Sequence, residues 1–359
     1  MWSNSVVEYY SHMVFGGAHL ARLFVIFPLL SVGCASRVLQ YDKADQALKN
    51  EEYDQKVVVK QAEPLPPEPQ VKEVSLEPTV PAKGKTKKLE KPKKVAKKEA
   101  AKVKGPRQPE MEDTTGFDGR RPIKDPFHVG EKVTLAISYF NITAGEMELT
   151  VKPLVDVNGV RAYHFEVSAR SNSFFNRIYG VDDTATTYVD YNEMTPLNLS
   201  ITLKESKQLA ETRTFFDWKT LKGNYWQKRV TKEHGEESKK LEWDIKPYSQ
   251  NVISAAFYMR TFSYEVGKKY SFRVADEGKN ITFSGEVLRK EKLDTEIGEL
   301  DTVVVKPHLT VDGAFAPVGD ILFWMTDDDR KFIVRIESKI KIGTIVAKLK
   351  SIEKGRETP

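Results

Sequence analysis

Apolar and polar residues alternate along most of the chain after about residue 122. One face of the run 131–140 carries apolar side chains, and so does one face of the run 146–153: Val133, Leu135, Ile137 and Tyr139 in the first, Met147, Leu149 and Val151 in the second. A period of two residues is typical of β-strands with one face in a hydrophobic core. Between two such runs, Asn158–Gly159 predicts a type I′ hairpin turn, because both residues tolerate positive φ.

The same alternation predicts a long series of short strands. They are expected at 160–169, 184–191, 197–205, 210–218, 222–230, 239–245, 268–275, 280–291, 300–310, 320–326, 331–340 and 343–352. So many short strands separated by turn residues favour a mainly β domain over residues 122–355, with a single strongly curved antiparallel sheet or a barrel-like form. No repeat of 20–50 residues is evident, which argues against a propeller or solenoid.

Two stretches interrupt the alternation and predict one or two short helices. The segment 173–180 has the character of one or two helical turns closed by Gly180. The segment 249–262 is the stronger helix, with Ser249 or Asn251 as its N-cap and apolar residues at helical spacing.

The N-terminal third has a different composition, which changes how the net charge of +5 is interpreted. Residues 62–110 hold nine of the eighteen prolines, and Lys83–Arg107 holds eleven lysines and one arginine against two glutamates. The rest of the chain is therefore net negative, so the basic charge belongs to one tract. We expect residues 62–121 to be a disordered linker, because few large apolar side chains are present to offset the entropy of ordering. The tract contacts either nothing or an anionic envelope polymer or lipid, and nucleic acid is not an expected partner.

The only cysteine, Cys34, follows the apolar run 21–33. That run is too short to cross a bilayer but matches the core of a secretory signal. The small residues before Cys34 resemble a bacterial lipobox, with Ser31 where leucine is usual. We expect a lipoprotein signal peptide over 1–33, starting at Met1 or Met13, and lipid attachment at Cys34. The alternatives are a buried free cysteine in a short helix or an unlipidated signal. Residues 34–61 form a short N-terminal segment, whose stretch 42–60 has a weak helical pattern.

The C-terminal run 319–352 resembles the closing signature of a bacterial envelope family known as domain of unknown function number 3108. The matching positions there are Trp324, Thr326, Asp327, Asp328, Arg330, Arg335, Glu337, Ile342 and Gly343. Further matches lie in the predicted helix and in the first hairpin: Ser254, Tyr258 and Arg260, then Gly130, Glu131 and Gly145. Phe332 departs from the pattern, where proline is common. The resemblance covers about 125–353 and implies a secreted or periplasmic β-rich domain without an established activity.

The residues that could carry chemistry also have structural interpretations. Asp327 and Asp328 predict a solvated turn rather than a calcium site, since adjacent carboxylates point in different directions. Arg335 and Glu337 share a strand face and predict an outer ion pair, or else Arg335 binds an anionic headgroup. Arg260, beside Tyr258, either contacts a ligand or pins the helix to the sheet. Tryptophans, among them Trp324, are expected in the core.

No metal-binding spacing or nucleophile motif accompanies the scattered histidines, so we expect no metal, no cofactor and no enzymatic activity. The leading hypothesis is an outer-membrane lipoprotein facing the periplasm, whose β domain binds a hydrophobic or amphiphilic ligand or an envelope component. The first alternative is a scaffold for an unidentified protein partner, docked on cell wall or anionic lipid by its lysine tract. An enzyme acting on envelope glycans is the second alternative. An apolar cavity would favour ligand binding, and a solid core would favour the scaffold.

Overall fold

The computed structural model describes residues 50–62, 108, 111–231, 234–311, 314–316, 320–339 and 343–356. The predicted signal peptide, Cys34, Lys83–Arg107 and most of the predicted linker therefore lie outside the described residues. Within the described residues there are two α-helices, α1 (Glu51–Lys56) and α2 (Val252–Tyr258). The strands are β1 (Val59–Gln61), β2 (Phe117–Asp118), β3 (Arg121–Pro122), β4 (Val129–Tyr139), β5 (Ile142–Val157), β6 (Val160–Ser171), β7 (Asp182–Asp190), β8 (Asn198–Lys204), β9 (Gln208–Asp217), β10 (Lys222–Thr231), β11 (Gly235–Asp244), β12 (Lys269–Asp276), β13 (Lys279–Thr295), β14 (Gly298–Val311), β15 (Ala314–Ala316), β16 (Asp320–Thr326), β17 (Ile333–Lys339) and β18 (Thr344–Arg356).

One large antiparallel sheet contains all of these strands except β2 and β3, which form a separate hairpin. Its order is β11-β10-β9-β8-β7-β6-β5-β4-β18-β17-β16-β14-β13-β12, so the pairing of β4 with β18 joins the beginning and the end of the domain. The prediction of a mainly β, strongly curved antiparallel sheet is confirmed. The Asn158–Gly159 turn is also as predicted, with φ of 55° and 83° between β5 and β6.

The two ends of this sheet approach each other, which gives the domain its barrel-like form. Asn280, at the start of β13, donates from Nδ2 to the Asp244 carbonyl at the end of β11, at 2.8 Å. The Tyr225 hydroxyl of β10 donates to Glu277 in the β12–β13 turn, at 3.3 Å. Apolar side chains from one face of the strands fill the concave side, where α2 packs on them with Phe257 stacked on Phe165 at 4.1 Å between ring centroids.

Helix α2 is fixed at its N-terminus by Asn251, one of the two predicted caps. Asn251 accepts from the backbone N–H of Ile253 and Ser254 and forms a capping box with Ser254. Its Nδ2 also donates to Thr187 Oγ1 at 2.8 Å, a side chain on β7. The predicted helix 249–262 is therefore present, although its last turn, Met259–Thr261, is a 3-10 turn. The second predicted helical stretch contains only the 3-10 turn Phe175–Arg177.

The N-terminal segment packs on the sheet, which the sequence pattern did not show. Helix α1 lies on the outer face, where Tyr53 is 6% exposed and packs with Trp226 in a small second core. The Tyr53 hydroxyl accepts from Asn198 Nδ2 at 2.7 Å, and β1 pairs with the end of β5. We call residues 50–61 the N-terminal clasp. The chain between residues 62 and 108 thus leaves and rejoins the same domain.

The predicted linker ends earlier than the expected residue 121. Glu112 is 4% exposed, Phe117 is 3% exposed, and Arg120 is 2% exposed. Phe117 packs against Phe262, with 6.0 Å between ring centroids. The stretch is ordered because the Phe117 ring packs beside α2 and the ion pair of Glu112 with Arg120 is buried against Tyr258.

Candidate functional site

A cavity of about 120 Å³ lies between helix α2 and the concave face of the sheet. The helix wall is formed by Val252, Ile253, Ala255, Ala256 and Met259. The sheet wall is formed by Met147, Leu149, Val167, Val274, Ile281, Phe283, Leu309, Phe323, Ile333, Ile336, Ser338, Ile345 and Ala347. Ser338 is the one polar residue among these, so the lining offers almost no hydrogen-bonding group. Such a surface binds apolar groups and leaves water without partners.

The cavity is reached along one side of α2. Val252 and Ala256 on the helix are partly exposed, and so are Leu149, Phe283 and Ile336 on the sheet. The deeper wall is closed to solvent, with Ile345 at 3% and Ala347 at 2% exposure. Apolar side chains therefore continue from the surface into the interior, which is the arrangement that an apolar chain needs to enter.

Arg260, a candidate ligand residue, lies in a buried ion-pair network at the C-terminal end of α2. It is 4% exposed and pairs with Glu131, which is 1% exposed, and it donates from Nη2 to the Pro126 carbonyl at 2.8 Å. Arg330 also pairs with Glu131, so one carboxylate holds two guanidinium groups. The network joins α2, the start of β4 and the turn after β16. This placement corresponds to the alternative in which Arg260 pins the helix.

Tyr258, the second candidate on α2, is held in a separate network. Its hydroxyl donates to Glu112 Oε1 at 2.8 Å, and the other oxygen of Glu112 accepts from Arg120 Nη1 at 2.8 Å. Both members of that ion pair are almost completely buried. Breaking such a pair is costly because the remaining charge stays buried. Tyr258 and Arg260 thus position α2, and neither lines the cavity.

Trp324 is 5% exposed and belongs to the main hydrophobic core, as expected for the tryptophans, while Arg335 and Glu337 are half-buried beside it. Trp324 donates from Nε1 to Glu291 Oε1 at 2.6 Å, and the Arg335 guanidinium lies 5.2 Å from its ring centroid. Arg335 also pairs with Glu337, as the strand pattern predicted. Hydrogen bonds from Arg289 and Trp324 hold the pKa of Glu291 below its ordinary value. These groups satisfy one another across the sheet surface.

The aspartates of the turn after β16 point in different directions, as expected. Asp327 binds Lys290 Nζ, at 2.7 Å, while Asp328 accepts from the backbone N–H groups of Arg330 and Lys331 at 3.0 and 2.8 Å. Asp329 pairs with Lys124. Within the part of the chain that the structure describes, no group of three or more histidine, cysteine, aspartate or glutamate side chains is placed to hold a metal ion.

The sequence pattern missed the cavity because its lining comes from strands far apart in the chain. A signal for it exists only in retrospect: Ala255 and Ala256 place two small side chains on the face of α2 that meets the sheet. Among the described residues, no helix has both the length and the apolar character needed to cross a bilayer.

Comparison with solved structures finds similar proteins at low identity. A β-barrel-like protein of the domain of unknown function DUF1849 from Brucella abortus is 11% identical, with 63% of this chain and 98% of that chain covered and a TM-score of 0.39. A provisionally assigned exported protein with a YmcC-like fold from Bacteroides fragilis is 10% identical, with 64% and 97% covered and a TM-score of 0.29. A provisionally assigned lipoprotein from Parabacteroides distasonis is 11% identical, with 63% and 95% covered and a TM-score of 0.24.

No curated protein matches the chain. A family model matches residues 134–350, from the first long strand to the last, which includes α2 and the whole sheet wall of the cavity. That stretch is more than half of the 359 residues, and it agrees with the resemblance found in the sequence. The chain therefore belongs to the family described as protein of unknown function, DUF3108.

Proposed function

We propose that this chain is a non-enzymatic cell-envelope lipoprotein whose β domain binds the apolar part of an amphiphilic ligand. The observation that carries the proposal is the cavity of about 120 Å³ between α2 and the sheet, with Ser338 as its one polar lining residue. A solid interior would have favoured a scaffold. The buried networks of Arg260 and Tyr258 support the proposal indirectly, because they hold α2 in place as the wall of a preformed site.

The size of the cavity restricts the ligand. An apolar protein cavity of about 150 Å³ stays dry and binds benzene, so a slightly smaller one accepts a segment of about six carbons. Burying six methylene groups at about 0.8 kcal/mol each gives about 5 kcal/mol. That energy alone corresponds to a dissociation constant of roughly 0.2 mM. The end of one acyl chain fits these limits, whereas a complete phospholipid does not.

The location in the envelope rests on the N-terminal sequence. The apolar run before Cys34 is the basis for proposing a lipid anchor there, and Ala35 lacks the aspartate associated with inner-membrane retention, which favours an outer-membrane lipoprotein facing the periplasm. The clasp also limits the length of chain that would connect the proposed lipid anchor to the β domain. Asn50 lies sixteen positions after Cys34, and an extended chain of that length reaches at most about 55 Å. In this proposal the tract Lys83–Arg107 presents positive charge to an anionic polymer or lipid.

The ligand is tested on residues 35–359, which contain every described helix and strand. The protein is purified without detergent from a bacterial host and studied by native mass spectrometry and organic extraction. We expect a co-purifying amphiphile with an unbranched apolar chain. A domain that is empty, and that also fails to bind added decanoate at millimolar concentration, would contradict ligand binding and favour the scaffold.

The anchor is tested separately by membrane fractionation of the full chain. We expect the chain to be recovered with outer membranes washed at high salt, and Cys34→Ala to be absent from them, because salt screens contacts that rest on surface charge. Cys34→Ser serves as a second variant, because it keeps a polar side chain of similar size but cannot form the thioether. Unchanged recovery of both variants in outer membranes would refute lipidation at Cys34.

A further inference from the structure

Four exposed apolar side chains lie together at one end of the sheet. Phe140 and Ile142, at the β4–β5 turn, are 62% and 58% exposed, and Phe174 and Ile178, between β6 and β7, are 63% and 54% exposed. The two turns are joined directly, since Asn172 donates from Nδ2 to the Thr143 carbonyl at 2.6 Å. We call these four residues the apolar rim. Single exposed apolar residues are common on proteins, but a group at neighbouring turns marks an interaction site.

Phe140 occupies its position at a cost to stability. It has φ of 48° and the next residue, Asn141, has φ of 60°, so the turn is of the type that favours Asn and Gly. A bulky residue at positive φ is rare, and strain of this kind is concentrated at functional sites. The ring packs beside Tyr139 at 4.3 Å between centroids yet stays mostly in water. Neither the backbone nor burial accounts for phenylalanine at this tip.

The charges around the rim are predominantly positive. Arg177, between Phe174 and Ile178, and Lys339, at the end of β17, are exposed. Among the described ion pairs neither of them has a carboxylate partner, whereas the nearby Asp182 is paired with Arg170 at 2.8 Å. Apolar tips flanked by cations are complementary to an anionic membrane surface, where each nearby Lys or Arg adds attraction and aromatic side chains enter the headgroup region.

The rim adjoins the cavity. Ser338 and Ile345, which line the cavity, are paired with each other on β17 and β18. Ile345 is also paired with Tyr139, the residue directly before Phe140. The cavity lining therefore continues through Ile345 to the end of β4, next to Phe140 of the rim.

We propose that the apolar rim inserts into the interface of an anionic phospholipid bilayer and that the apolar ligand passes between bilayer and cavity there. This inference extends the proposed function. The passage of a ligand rests on that proposal, because it requires the cavity to bind one. Tips on separate turns suit penetration between headgroups, whereas a protein partner would require a continuous flat or grooved apolar face.

The test is co-sedimentation of residues 35–359 with vesicles of phosphatidylethanolamine and phosphatidylglycerol, with phosphatidylcholine vesicles for comparison. The variant carries Phe140→Asn and Phe174→Ser, and Asn relieves the positive φ so that the turn is retained. The matched control carries Ile123→Ser and Ile297→Ser, which are 75% and 48% exposed and lie outside the rim, before β4 and in the β13–β14 turn. We expect the rim variant to bind anionic vesicles at least tenfold more weakly, and the control to bind as the parent chain does.

Three results would overturn the inference. The first is that the parent chain binds neither kind of vesicle. The second is that the control variant loses as much vesicle binding as the rim variant. The third is that sedimentation velocity shows self-association through the rim while no vesicle binding occurs. Titration with a soluble fluorescent fatty acid separates this inference from the proposed function. A rim variant that keeps its affinity for the monomeric fatty acid but takes it up from vesicles at least tenfold more slowly supports both. Vesicle binding without fatty-acid binding supports the rim contact and refutes the cavity ligand and the passage.

Discussion

Filling the cavity from its helix wall should abolish ligand binding without unfolding the domain. Ala256 is partly exposed at the cavity entrance, on the face of α2 that meets the sheet. Ala256→Phe adds a six-carbon ring, roughly the volume of the benzene that a cavity of about 150 Å³ accommodates. The ring therefore competes for the whole segment that an acyl chain would occupy, worth about 5 kcal/mol. We expect affinity to fall at least a hundredfold.

The stability of Ala256→Phe should change little. Filling a cavity typically adds about 0.5–2 kcal/mol, while overpacking costs about 1–3 kcal/mol, so the two effects largely cancel. Ala136→Phe is the matched control, because Ala136 lies on the outer face of β4, paired with Glu146 and Lys348. Ser338→Leu fills the cavity from the opposite wall and provides an independent second variant.

The assay is displacement of a fluorescent fatty acid by unlabelled carboxylates of increasing chain length. For the parent chain, each added methylene should strengthen binding about fourfold, the equivalent of about 0.8 kcal/mol, until about six carbons are buried. Beyond that length the affinity should level off. Equal affinities of the parent chain and Ala256→Phe, or an equal loss in Ala136→Phe, would refute the assignment of the cavity as the binding site.

Three further predictions concern the framework around the cavity. Tyr53→Ala should release the N-terminal clasp, so that amide hydrogen exchange of residues 50–61 accelerates while that of β4 stays slow; equal acceleration in both would contradict a locally attached clasp. Glu131→Ala should lower the free energy of unfolding by about 3–5 kcal/mol in urea denaturation, because Arg260 and Arg330 lose their shared carboxylate, and a loss below 1 kcal/mol would be inconsistent with this network. Burial raises the pKa of Asp183 from 3.8 to about 8. Between these two pH values the native protein keeps a proton on Asp183 that the unfolded chain has lost. The free energy of unfolding should therefore decrease as the pH rises, by up to about 1.4 kcal/mol per pH unit. Asp183→Asn should remove that part of the slope, and parallel curves of unfolding free energy against pH for the two proteins would refute the assignment.

Two turns show which local features the sequence predicts and which it does not. Asn158–Gly159 is recognisable because its residues tolerate the backbone geometry of the turn, whereas the turn at Phe140–Asn141 carries a residue that local propensity disfavours. Local rules fail at Phe140 because the φ of that residue is imposed by the pairing of β4 with β5 and with β18. Such conflicts between local preference and structure are expected at functional sites.

The candidate residues show the same division. Tyr258 and Arg260 were identified by their type and position on α2, but their partners Glu112 and Glu131 lie more than a hundred residues earlier in the chain. Whether a buried arginine binds a ligand or a carboxylate depends on those distant partners. A single sequence does not show which distant side chain a buried arginine will contact.

The sequence alone determined the class of this protein. Strand periodicity, turn residues, the cap at Asn251 and the C-terminal signature are local properties, because side-chain alternation and capping involve residues only a few positions apart. The tertiary structure decided the rest. Ala136 and Ala256 are the same residue type, but Ala136 lies on the outer face of β4 and Ala256 lines an apolar cavity. That difference arises from how a long sheet curves around α2, and curvature is a property of many strand pairs acting together.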